Sequence, residues 1–73
     1  MRSPNLIRNV GGWTSLFSDN VRRLYSVHGK KVEIVAGACK ARVDGHMVDL
    51  TQIIAADNHD WYIAEQDIAQ LTQ

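Results

Sequence analysis

Between residues 13 and 25 the apolar side chains fall at Trp13, Leu16, Phe17, Val21, Leu24 and Tyr25. These intervals trace a single stripe along an amphipathic helix, and Ser15, Ser18, Asp19, Arg22, Arg23 and Ser26 fill the opposite side. Asp19 precedes Arg22 and Arg23 at the spacing that supports intrahelical ion pairs, and Gly29 after His28 supplies a stop. The pattern predicts an amphipathic helix from Trp13 to His28. A second reading of its end stays open, in which Leu24-Tyr25-Ser26-Val27 and Val32-Glu33-Ile34-Val35 flank a His-Gly-Lys turn as a hairpin.

Beyond Gly29 the period changes to two. Residues 31–36, KVEIVA, alternate charged and β-branched side chains before Gly37 and read as a strand. Asp44-Gly45 is a preferred type I′ pair between KARV and HMVDL. A two-residue loop there sets Val43 opposite His46, Arg42 opposite Met47, Ala41 opposite Val48, Lys40 opposite Asp49 and Cys39 opposite Leu50. Cys39, Ala41, Val43, His46, Val48 and Leu50 then share one mostly apolar face, while Lys40, Arg42, Met47 and Asp49 share the other. Residues 52–56 and 61–64 read as two further short strands around the turn cluster Asp57-Asn58-His59-Asp60, and residues 67–71 as a closing helical turn. The competing reading makes this last third two helices: Asp49 and Gln52 resemble a capping box, and Trp61, Ala64, Ile68 and Leu71 have helical spacing.

Seventy-three residues bound the answer to one small core. At this size folding buries only about 60% of the surface of the unfolded chain, so stability calls for a disulfide, a metal or self-association. Cys39 is the only cysteine and no zinc-type ligand spacing occurs, which leaves self-association. Ser3-Pro4-Asn5 and Gly11-Gly12 mark residues 1–12 as a flexible arm ahead of a single domain, 13–73. No apolar run approaches the ~20 residues that span a bilayer, so no membrane partner is expected. Residues 1–12 carry two arginines and no apolar block of signal-peptide length, which predicts a cytoplasmic location. The expected fold is α+β and mostly β: an N-terminal amphipathic helix, then a small five-stranded antiparallel barrel or strongly bent sheet with a closing helical turn.

GKKVEIVAG followed by KARVDG resembles the glycine-punctuated opening strands of KOW modules, and WYIAEQDIAQL resembles their last strand and closing turn. The stripe at 13–28 is similar to the N-terminal helix of the Sm-like group. Over residues 13–72 the chain thus resembles the small barrels of the Sm-like and Src-homology-3-like superfamilies. This resemblance implies a five-stranded barrel and does not by itself imply an activity.

Charge is distributed unevenly. All eight lysines and arginines lie in residues 1–42 against Asp19 and Glu33, giving that part +6, and the remainder carries −6. Arg22, Arg23, Lys30, Lys31, Lys40 and Arg42 would form a stripe for phosphates if one surface gathers them, with Tyr25, Trp13 or Trp61 as a stacking platform. RNA or DNA binding is therefore one expectation. The other is a protein-interaction module, docking a partner or a second copy as a homo-oligomer through Trp13, Leu16 or the Met47 face, as an adaptor or inhibitor of the kind phages and mobile elements encode.

No enzyme activity, metal or cofactor is expected. Asp57, Asn58, His59 and Asp60, with His28, His46 and Cys39, carry ligand atoms, yet Asp and Asn already serve a turn through their own backbone hydrogen bonds. Cys39 and His46 share a hairpin face but stand too many cross-strand pairs apart for a nucleophile and its base.

Overall fold

Every strand pair in the computed structural model is antiparallel. The structure describes residues 5–7, 10–57 and 60–72. These form β1 (Asn5–Leu6), β2 (Trp13–Ser18), β3 (Arg22–Val27), β4 (Lys30–Val35), β5 (Lys40–Val43), β6 (His46–Asp49), β7 (Ala55–Ala56), β8 (Trp61–Ile63) and α1 (Glu65–Leu71). The five strands β2 to β6 make a meander in chain order, and a smaller sheet has the order β1-β8-β7.

The predicted N-terminal helix does not form. Residues 13–27 are the first hairpin of the large sheet, with Trp13 opposite Val27, Ser15 opposite Tyr25 and Phe17 opposite Leu24. Three local features explain the outcome. Trp13, Thr14 and Phe17 of WTSLFS are aromatic or β-branched, types that suit a pleated strand better than a helix. Asp19 spends its carboxylate on the main-chain N–H groups of Val21 (2.8 Å) and Arg22 (2.7 Å), closing the β2–β3 loop instead of pairing with the arginines along a helix. His28 and Gly29 have φ of 51° and 80°, the left-handed pair of a tight hairpin turn, so β3 reverses into β4. The hairpin reading of 24–35 matches this pairing, with Val27 opposite Lys30 and Tyr25 opposite Val32.

The closed barrel is not formed either: the described strands make two open sheets. Of residues 52–56 and 61–64 only Ala55–Ala56 and Trp61–Ile63 are strands, and they pair in the smaller sheet, while β2 and β3 supply two of the five strands of the large one. The Asp44-Gly45 hairpin has the predicted register, from Lys40 opposite Asp49 to Val43 opposite His46. Of the two-helix reading of the last third, only α1 is helical, and Trp61 lies in a strand.

The core lies between the sheets. Tyr25, Val27, Val32, Ile34 and Ala41 bury themselves from the inner face of the large sheet, meeting Ile7, Ile54, Trp61, Ile63 and Leu71 from the covering layer. In the stretch read as an arm, Asn5 and Leu6 pair with Ile63 and Tyr62 and Ile7 is 1% exposed, while residues 1–4, 8 and 9 lie outside the described residues. After β6 the chain returns across the sheet end, where Gly37 donates to the Ile54 carbonyl (2.7 Å) and Ile54 donates to that of Ala38 (2.9 Å). The buried Asp67 of α1 holds this return through Thr51. Among the described residues no helix is long and apolar enough to cross a membrane.

Candidate functional site

Side chains of cross-strand partners point to the same side of a sheet, so the register sorts the large sheet into two faces. The inner face carries Tyr25, Val27, Val32, Ile34 and Ala41 and is covered. The outer face carries the row Phe17, Leu24, Glu33, Arg42 and Met47, each opposite the next across β2 to β6. Phe17 is 44% and Met47 58% exposed, so each end of the row presents an apolar side chain to solvent. Leu24 and Val35 are half-buried between them.

Polar groups on this face are tied into a lattice around Glu33. Its carboxylate receives Arg22 Nη1 at 3.3 Å and lies 4.0 Å from Arg42 Nη1. Arg22 also lies over the Phe17 ring, 5.3 Å from its centroid. Lys40 and Asp49 face each other at 3.9 Å with both side chains largely exposed, a pair worth little in water. Lys31, opposite Ser26, completes the cations of this face. Asp19, opposite Arg22, and Asp44, opposite Lys31, join Glu33 and Asp49, so four cations stand against four carboxylates.

The stripe of six cations is split by the fold. Arg22, Lys31, Lys40 and Arg42 are on the outer face. Arg23 and Lys30 are opposite Ile34 and Val27 on the inner face. Arg23 is structural: its guanidinium lies 4.7 Å from the Trp61 ring centroid and its Nη1 3.5 Å from the Tyr25 hydroxyl, while its Nε is enclosed without a partner among the described residues. Of the stacking candidates, Trp13 packs on Tyr25 with ring centroids 5.6 Å apart, and Tyr25 and Trp61 are buried.

Of the three predicted interface residues, only Met47 lies in the outer row. Leu16 occupies the bulge between Ser15 and Phe17 and is exposed at the sheet edge. Trp13 pairs with Val27 on the inner face and is half-buried. Sequence reasoning missed Phe17, Leu24, Glu33 and Val35, because it placed the first two on a helix. The His28-Gly29 dipeptide before an alternating KVEIV segment was the signal that could have found them.

The metal-ligand cluster is not assembled by what is described. His28 sits in the β3–β4 turn, His46 and Cys39 are exposed, and Asn58 and His59 lie outside the described residues. The carboxyl of Asp19 is held below the ordinary value of 3.8 by the N–H groups of Arg22 and Val21.

No protein-family model matches the chain, and no curated protein or solved structure is significantly similar to it. The functional reading therefore rests on this geometry.

Proposed function

We propose that the chain is a protein-binding module that docks its partner on the outer face of the five-stranded sheet. The observation that carries this reading is the exposed row from Phe17 to Met47, an apolar–charged–apolar strip on a face that no described element covers. Phe17, Arg42 and Met47 in this strip are of the residue types enriched at protein–protein interfaces. Nucleic-acid binding is less favoured. Arg23 and Lys30 are turned away, and Arg22, Lys40 and Arg42 already face carboxylates on their own sheet, so few charges remain for counterion release.

Selection of displayed random peptides on the immobilised chain tests this reading. Selected clones should lose about tenfold or more in affinity for a Phe17→Asp/Met47→Asp variant and keep their affinity for Ile53→Asp, an exposed apolar position outside the large sheet. Clones that bind the double variant as well as the original chain would place the docking surface elsewhere.

A further inference from the structure

We infer that the occupant of the outer face is a second copy of this chain, packed face to face through β3 to β6; this rests on the reading that the face is a docking surface. The face is electroneutral, and the order of its charges selects the partner. Register sorts the outward side chains of these four strands into rows. One row runs Leu24, Glu33, Arg42, Met47, and the row beside it runs Arg22, Val35, Lys40, Asp49. On the other side Ser26 and Lys31 are followed by Asp44, whose main-chain N–H donates to the Lys31 carbonyl at 2.9 Å.

Sheets packed face to face keep their strands within about 30° of each other, so a two-fold axis can run along the strands. Placed between β4 and β5, this axis lays β4 on the second copy's β5 and β3 on its β6, row on row. Glu33 then meets Arg42, Lys31 meets Asp44, Arg22 meets Asp49 and Leu24 meets Met47, each contact occurring twice. Val35 meets the aliphatic stem of Lys40. No like charges face each other. The same axis placed along β4 would set Arg22 on Lys40 and Asp19 on Asp49, and an axis across the strands through the central row would set Glu33 and Arg42 each on its own copy. The charges of β3 and β4 thus complement those of β5 and β6 at the one axis position, as an isologous interface requires. The Asp49 side chain is 86% exposed and those of Arg22 and Arg42 are more than half exposed, so their heads are free to reach across.

Four strands at ~4.8 Å and about five residues at ~3.4 Å give a footprint of about 19 by 17 Å per copy, small among interfaces, so the dimer should be weak and reversible. Sedimentation equilibrium from about 1 µM to about 1 mM should show twice the chain mass growing in with concentration. Arg22→Glu and Asp49→Lys each set like charges across the axis and should each weaken the dimer about tenfold or more. An equimolar mixture of the two variants should restore it, because the mixed pair matches the introduced carboxylate with the introduced ammonium and leaves an arginine facing an aspartate at the other contact. Both positions are exposed, so each variant should melt close to the original chain.

A chain that stays monomeric over this range, while displayed peptides bind it and lose affinity for Phe17→Asp/Met47→Asp, would overturn the second copy and keep the docking face. A dimer that neither variant weakens, or that mixing does not restore, would put self-association on another surface and overturn the inference. A monomer that no displayed peptide binds would overturn both.

Discussion

The Asp67 carboxylate accepts both donors of Thr51, the main-chain N–H at 2.9 Å and the hydroxyl at 3.1 Å. This couples α1 to the segment leaving β6, and Gln70 of the same helix adds a bond to the Asp49 carbonyl at 2.9 Å. Asp67 is fully buried, so its charge is stabilised by these donors rather than by water. Asp67→Ala should cost about 2 kcal/mol, the scale of hydrogen bonds to a charged group, and lower the melting temperature by roughly 10 °C. A shift indistinguishable from that of an exposed substitution would show that the helix docks through Leu71 and Ile68 alone.

The β3–β4 turn decides between strand and helix for residues 22–27. Gly29 has φ of 80° and an added Cβ would meet no atom within 4 Å, so Gly29→Ala tests backbone strain without a clash. The left-handed conformation costs a residue with a Cβ about 1–2 kcal/mol. Gly11→Ala, at a glycine without positive φ and with equally open surroundings, should change stability by less than about 0.5 kcal/mol. Equal effects of the two substitutions in chemical denaturation would contradict the assigned turn.

The second half of the large sheet was legible in the sequence and the first half was not. Asp44-Gly45 fixes one register because its flanks alternate cleanly, and the observed pairs are the predicted ones. In β2 the bulge at Leu16 inserts one residue between Ser15 and Phe17, which shifts the alternation by one. Trp13 then points inward and Phe17 outward, and on β3 Tyr25 points inward and Leu24 outward. Apolar residues on both sides of a ribbon mimic the intervals of a helical stripe. The outer row was invisible for the same reason, since its members become neighbours only when β2 and β3 join the sheet.

Ile7 tests whether the residues ahead of β2 belong to the core. It is buried against the inner layer, so Ile7→Ala should cost about 2–5 kcal/mol, as large-to-small core substitutions do. An undocked arm would give a change within about 0.5 kcal/mol in the same denaturation experiment.

Asp19 gives the β2–β3 loop a pH dependence of known sign. The N–H groups of Arg22 and Val21 favour its ionised form and lower its pKa below 3.8 in the fold. A group whose folded pKa is depressed stabilises above its unfolded pKa, and the contribution disappears as pH falls through the folded value. An NMR titration should therefore show the Asp19 carboxyl midpoint below 3.8, with the amide signals of Val21 and Arg22 moving together with it. Asp19→Asn should abolish the coupled movement. A midpoint at or above the ordinary value would mean that the loop is not closed by this side chain in solution.

A partner docked on the outer face of β2 to β6 perturbs that face first, and a chemical-shift map of the labelled chain with a peptide selected from the displayed library reads this residue by residue. Shifts are expected at Phe17, Leu24, Glu33, Arg42 and Met47, with Ile7, Trp61 and α1 unchanged. Shifts confined to β7, β8 and α1, with the row from Phe17 to Met47 unmoved, would contradict docking on this face.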